Sequence, residues 1–362
     1  MPPRNHASWL KQPKVEYISS ECYNNHSVYL AENEYIFSKV WVPMCHMSEM
    51  YEVGDFRTTS IAGVSVIAVN TNDGVRAYRD TQITQPAGTL SGPLQDHVEL
   101  HCEVKHGQMV WVTLNPNPTQ SVDEWTAGAF DCIADAIDAE ELDVFHYHRA
   151  IIDTNYKLWH DTNSEFYHDF MHYFNRVSGF NDEYFARKNI PFDNGHVNVS
   201  SFTVNYEEYD GFEDRGELSF PNLPPNQWYM VDLFPGYNFN LRGSAYRSDI
   251  VTPLGPNKVL IEFRGYGLRS DTPEERQTRI KHHNSIWGPF GRNLHEDLIG
   301  VAGQGTTMRE GTETRNILHG RHENSTIHDE VGMRHYYGAW GDFLGVNPAR
   351  PLETLPDVHQ AA

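Results

Sequence analysis

The sequence predicts an α+β protein in which a small all-β module precedes an antiparallel sheet with helices packed to one side. Two observations carry this. From about residue 56 to residue 116, apolar and polar residues alternate in short runs broken by Gly, Asn and Asp, as strands joined by tight turns require. Beyond residue 118, strand-like runs are interspersed with longer stretches of helical spacing, and no internal repeat is present.

The elements follow in order. A short helix and an entry segment are expected over residues 24–42, and the β module over residues 38–118, with strands at 56–61, 64–69 and 110–114. The turn-forming Asn115-Pro116-Asn117-Pro118 closes the module. Helices are expected at 122–136 and 155–176, then strands at 196–204, 228–234 and 259–265. Further helices are expected at 273–287, 294–302 and 329–344. Gly300-Val301-Ala302-Gly303-Gln304-Gly305 does not link a strand to a helix, so it reads as a loop and not as a dinucleotide site.

Composition narrows the function. Forty-nine acidic residues against 28 basic ones leave a formal net charge of −21, which excludes a phosphate-backbone partner because nucleic-acid binding needs a basic face. No apolar run is long enough to span a bilayer. Met1-Pro2-Pro3-Arg4-Asn5-His6 has no apolar signal core, so a cytoplasmic protein is expected. Cys22, Cys45, Cys102 and Cys132 form no CxxC pair and are expected to be reduced.

The twenty histidines make metal ligation worth weighing. At about 100° per residue, Asp161, Glu165, His168 and His172 share one stripe of a helix, with Trp159, Phe166, Phe170, Tyr173 and Phe174 opposite. Imidazoles at i and i+4 can reach one ion, and a carboxylate one turn earlier can orient one of them. Two ordinary histidines on a solvated face are the plain alternative. Zinc hydrolysis is another, since His168-Asp169-Phe170-Met171-His172 is close to HExxH. However, Asp169 stands where that chemistry needs Glu, and no third histidine follows at metzincin spacing. His282, His283, His319, His322 and His328 are read as surface or core residues.

Asn155-Tyr156-Lys157-Leu158, followed by Glu165-Phe166-Tyr167-His168, resembles the NWK…E/D-x-Y-H…H segment of Rieske-type aromatic-ring-hydroxylating oxygenase α subunits. Trp287-Gly288-Pro289-Phe290-Gly291 through Glu296-Asp297 resembles that family's distal-carboxylate segment. Glu330 to Trp340 resembles its closing helix, and Trp41 to His46 with Gly54-Asp55-Phe56 the entry to its Rieske domain. The resemblance implies a helix-grip (START/Bet v 1-like) catalytic domain formed by residues 1–37 and 119–362. It also implies a mononuclear Fe(II) held by His168, His172 and Asp297, with Glu296 as the alternative carboxylate and Glu165 as an orienting, catalytically important acid. The chemistry implied is hydroxylation of an aromatic or related organic substrate by O2.

The departures from that family are specific. A Rieske [2Fe-2S] centre needs Cys-x-His and Cys-x-x-His, yet Gln82 and Thr84 occupy the first pair's positions and the second loop is shortened between Gly88 and Val98. Cys102 and His106 are read as strand residues. The β module is therefore expected to be a Rieske-like scaffold without cluster ligands, with no [2Fe-2S] in this chain. Electrons would come from a Rieske-bearing α-like subunit, served by a ferredoxin or reductase, and a small β subunit is a further expected partner. A catalytically silent subunit of such an assembly is the competing reading. The histidines are also spaced by three residues, where the family usually has four or five.

Overall fold

The computed structural model describes residues 16–79, 83–92, 94, 97–209, 216–310, 315–318, 327–328 and 330–348. Two seven-stranded antiparallel sheets dominate it. The first runs in the order Val42–His46, Met109–Thr113, Val98–Lys105, Gly74–Arg79, Val64–Thr71, Asp55–Ile61, Ala87–Thr89. The hairpin of Asp55–Ile61 and Val64–Thr71 turns at Ala62 and Gly63, both at positive φ, the geometry that lets a two-residue turn follow the twist of the strands.

The second sheet runs Asn189–Pro191, Val197–Thr203, Gln227–Leu233, Tyr237–Arg242, Ala245–Gly255, Lys258–Leu268, Leu142–Ile152. The strands at Leu142–Ile152, Tyr237–Arg242 and Ala245–Gly255 are additions to those expected. Helices Tyr156–Ser164, Pro273–Trp287 and Val331–Leu344 pack against this sheet, and Leu294–Glu310 packs on the first two of them.

Two helical expectations and one loop expectation are corrected. Residues 122–136 do not form one helix. The Val122–Thr126 helix stops at Ala127 and Gly128, both left-handed, and a 3-10 turn and a four-residue helix follow. Residues 155–176 break at Glu165, whose backbone is extended (φ −116°, ψ 150°). Conversely, the glycine-rich run 300–305 is helical, inside Leu294–Glu310. There, a Cβ on Gly305 would lie 2.6 Å from Thr154 Oγ1, so its glycine admits close packing and does not mark a loop.

The two sheets are tied by charge. Glu49 accepts from Arg264 Nε at 2.8 Å and pairs with Arg57 at 3.0 Å. The ends of the chain are tied as well: Glu32 meets Lys157 Nζ and accepts from Trp340 Nε1 at 2.8 Å, joining an N-terminal helix, the Tyr156–Ser164 helix and the closing helix in one buried contact.

Candidate metal centre

The Tyr156–Ser164 helix is capped by Asn155, whose Oδ1 accepts from Lys157 N–H at 3.0 Å. Its end at Glu165 redirects the chain into a single 3-10 turn, Tyr167–Phe170, that carries His168 at its start. His168 and His172 therefore do not share a straight helical stripe. Their rings stand at 87° with centroids 5.1 Å apart. Asp161 leaves the group altogether: its carboxylate accepts from Tyr23 at 3.0 Å and Tyr337 at 2.9 Å in the buried interior.

Glu165 stays with His168. Its Oε1 takes the imidazole Nδ1–H, while Oε2 accepts from the backbone N–H of Tyr167 at 2.8 Å and of His168 at 3.3 Å. Across the site, the tight turn Gly288–Gly291 aims the helix Leu294–Glu310. A Cβ on Gly291 would lie 2.3 Å from the carbonyl oxygen of Ile286, so only glycine fits there. The first turn of that helix presents two adjacent acids in different roles. Glu296 Oε2 accepts from His172 Nδ1–H at 2.8 Å. Asp297 Oδ1 lies 3.0 Å from His172 Nε2 and 3.5 Å from His168 Nε2.

Both imidazoles thus turn Nδ1 to a carboxylate and Nε2 to a common point, as second partners that fix a ligand's tautomer do. Separations of 3.0 and 3.5 Å suit atoms sharing one ion, because bonds of about 2.1 Å at right angles place ligand atoms roughly 3 Å apart. Asp297 Oδ1 is buried without a hydrogen-bond partner, as an anionic ligand atom would be. Asp169 is a second nearby carboxylate, with Oδ1 3.8 Å from His168 Nε2, and His168, Asp169 and His172 offer atoms within 4.8 Å of one another. Its Oδ2 is engaged, accepting from Tyr184 O–H at 2.8 Å and facing Arg187 at 3.7 Å. That engagement makes Asp169 a poor stand-in for a metalloprotease base.

The carboxylates gathered around the two imidazoles favour their charged form, so a metal ion would displace the proton at each Nε2. Burial presses on the His168 imidazolium, but the Glu165 carboxylate, joined by Asp297 and Asp169, outweighs it and holds His168 up at about 10. His172 is raised in the same way, against burial, by Asp297. Burial would lift Asp297, yet His172 and then His168 bring it below the usual carboxylate range.

The residues that sequence reasoning missed line the cavity beside this point. The strand Tyr237–Arg242 alternates aromatic or aliphatic with polar residues, yet all six positions are buried. Asn240 and Arg242, with Arg247 opposite Asn240 on the next strand, face a cavity of about 30 Å³ shared with His168, His172 and Asp297. The available signal was that alternation: polar side chains on one face of a strand buried on both sides.

In the β module, Thr84 is exposed in the connection between Gly74–Arg79 and Ala87–Thr89, and Gln82 lies outside the described residues, as do His319 and His322. Cys102 is in its strand. His106 falls just beyond it at φ 51°, stacked on Phe130 with centroids 4.1 Å apart, because the turn to the next strand begins there.

A helix-gripped antiparallel sheet with a two-histidine, one-carboxylate convergence, preceded by a seven-stranded β module, is the make-up of an oxygenase α subunit. Residues 139–345 match the family model described as "Ring hydroxylating alpha subunit (catalytic domain)". The chain is 55% identical, over 97% of each chain, to the methanesulfonate monooxygenase hydroxylase subunit alpha of Methylosulfonomonas methylovora. It is 31% identical to the 2-aminobenzenesulfonate 2,3-dioxygenase subunit alpha of Alcaligenes sp, over 93% of this chain and 96% of that one. Its fold is shared with a crystal structure of a quaternary ammonium Rieske monooxygenase, with TM-score 0.74, 14% identity, and 95% and 99% of the two chains covered. The chain belongs to the ring-hydroxylating oxygenase α-subunit family, and it is an oxidoreductase. Members of that family use a mononuclear iron at the catalytic site and work with electron-transfer partners and other subunits. Among the described residues, no helix is long and apolar enough to cross a membrane.

Proposed function

We propose that this chain holds Fe(II) through His168 Nε2, His172 Nε2 and Asp297, and oxygenates a small organosulfonate with electrons delivered by a Rieske centre on another polypeptide. The observation that carries the proposal is the convergence of those three ligand atoms while Glu165 and Glu296 tie down both Nδ1 atoms. With each Nδ1–H donated to a carboxylate, each Nε2 lone pair is left for a metal. Two imidazoles and one carboxylate on one side leave positions open, the arrangement that suits non-haem Fe(II) and O2. Bound iron would supply O2 activation there.

A cluster of this chain's own is left out of the proposal on grounds of ligand chemistry. A Rieske centre takes two thiolates and two imidazoles, whereas residues 80–86 and 90–97, the connections that would hold it, contain no cysteine. The alignment to the methanesulfonate relative spans 403 residues, more than the 362 of this chain, so gaps fall on this side, in keeping with a shortened loop. A partner must then approach the iron. Phe170, Met171 and Tyr173 lie about half exposed on the histidine segment itself, an apolar surface of the kind that protein partners cover.

The substrate class rests on two relatives named for sulfonates, one aliphatic and one aromatic. The test is anaerobic reconstitution with Fe(II), followed by single turnover on methanesulfonate with and without a separate Rieske protein. About one iron per chain, and product only when the Rieske protein is present, is the expected result. Iron retained by both His168→Ala and His172→Ala, or turnover with a reductase alone, would sink it.

A further inference from the structure

Among the described residues, Arg242 is a buried cation with no anion of its own. Its side chain sits at the end of the Tyr237–Arg242 strand, and the residue is 4% exposed. The two other buried arginines beside it each have a counter-ion: Arg187 faces Asp169 at 3.7 Å, and Arg247 meets Asp249 through Nε and Nη2, both at 2.7 Å. No carboxylate among the described residues lies within ion-pairing distance of Arg242, and its Nε is buried without a partner. A buried charge left in this state is costly, and burial accordingly presses on its protonated form.

The surroundings account for part of that charge and leave the rest. Arg242 lies over the rings of Trp228 at 4.8 Å, Trp287 at 5.1 Å and Phe174 at 5.5 Å. Aromatic rings meet the face of a guanidinium, whereas hydrogen bonds leave from its edge in the plane of the five N–H groups. The stacking therefore fixes the plane and leaves the edge for an acceptor. Arg242 lines the same cavity as His168, His172 and Asp297. Arg247, over the same Trp287 ring at 4.8 Å, adds positive potential, and its Nη1 is also buried without a partner. Asn240 lines the same cavity.

We propose that Arg242, backed by Arg247, is the group that holds the anionic head of the substrate, and so determines its specificity and directs the rest of the molecule to the metal. A planar fork of N–H donors matches the oxygen pairs of a sulfonate as it does those of a carboxylate or phosphate. The assignment of that head as a sulfonate rests on the function proposed above. The requirement for an anion does not.

The experiment is equilibrium binding to the Fe(II)-loaded, anaerobic protein purified with whatever subunits accompany it. The ligands are methanesulfonate, its uncharged isostere dimethyl sulfone, and acetate. The unsubstituted protein should bind methanesulfonate and not the sulfone. Arg242→Gln should weaken methanesulfonate roughly ten- to hundred-fold, the scale of a lost charge-assisted hydrogen bond, with iron content unchanged. Arg242→Lys should recover part of the loss. Equal affinity for methanesulfonate and dimethyl sulfone in the unsubstituted protein overturns the proposal without any variant, which guards against an Arg242→Gln that fails to fold. Unchanged methanesulfonate affinity in a folded, iron-bearing Arg242→Gln also overturns it, and leaves the sulfonate reading standing. Binding of acetate but no sulfonate, lost in Arg242→Gln, supports the anion site and overturns the sulfonate reading alone.

Discussion

Glu165 binds His168 twice over: one carboxylate oxygen takes the imidazole Nδ1–H, and the other accepts the same residue's backbone N–H at 3.3 Å. Side chain and main chain of His168 are thus held by a residue whose own backbone is the break at the end of the Tyr156–Ser164 helix. Glu296 holds His172 through its side chain alone, at 2.8 Å, from a distant helix. The two imidazoles have matching partners of unequal grip.

That inequality predicts different costs for the two acids. His168→Ala, His172→Ala and Asp297→Ala should each abolish iron binding in anaerobic titration. Glu165→Gln and Glu296→Gln should keep iron with affinity reduced by about 10- to 100-fold, the usual range for partners that orient a ligand. Glu165→Gln should be the more damaging, because it disturbs the backbone that sets His168. A larger loss for Glu296→Gln would contradict the assignment.

The ligand positions of the β module predict its colour. Iron-loaded protein should show no Rieske-type visible bands and no acid-labile sulfide in proportion to chain. Sulfide at two per chain, the content of a [2Fe-2S] centre, would mean that the connections after Arg79 and Thr89 are wrongly read, and would bring Cys102 and His106 back as ligand candidates.

Lys157 and Glu32 predict a stability effect remote from the metal. Both are essentially unexposed and oppositely charged, and Trp340 Nε1 shares the Glu32 carboxylate. Lys157→Met should destabilise by about 3–5 kcal/mol, the cost of stranding a buried charge. Adding Glu32→Gln should recover much of it, since the amide still accepts from Trp340. Urea unfolding of the two single variants and the double variant measures the coupling.

A further prediction concerns pH. His196 Nε2–H donates to Trp125 O at 2.8 Å, and Nδ1 accepts from Phe234 N–H at 3.0 Å, so a second proton has no place. Burial pushes His196 down to about 3, and His46, bonded to Gly107 O at 2.7 Å, down to about 4. In the unfolded chain both titrate near ~6.5. Below that value the unfolded state binds more protons, so stability is full above about pH 6.5 and is lost as pH falls toward the folded values. Each group contributes a slope of at most about 1.4 kcal/mol per pH unit. Metal-free His196→Gln should lose one such increment from the slope of unfolding free energy between pH 6 and 4. An unchanged slope would refute the role.

How much of this was legible varies residue by residue. His168 and His172 could be singled out because two imidazoles four apart are a local pattern, and local geometry follows from sequence spacing, whereas Asp297 was reached only through the resemblance of Trp287 to Asp297 to the family's distal-carboxylate segment. Asp161 was misplaced for the same reason. Spacing assumes the helix continues, whereas Glu165 gives up helical geometry to bind His168, and Asp161 finds two buried tyrosines from distant segments. Which of Glu296 and Asp297 meets which nitrogen depends on how the Leu294–Glu310 helix packs, with Thr154 Oγ1 donating to Val301 O at 3.1 Å and Gly305 against Thr154. By itself, then, the sequence determined the order of the motifs, the strand–turn character of the β module and the identity of the convergent ligand candidates. Only the tertiary structure decided that Glu296 meets Nδ1 of His172 while Asp297 lies against the Nε2 atoms of both imidazoles, and that Arg242 has no counter-ion beside it among the described residues. Those outcomes turn on contacts between segments far apart in the chain, and a one-dimensional pattern carries no distance between them.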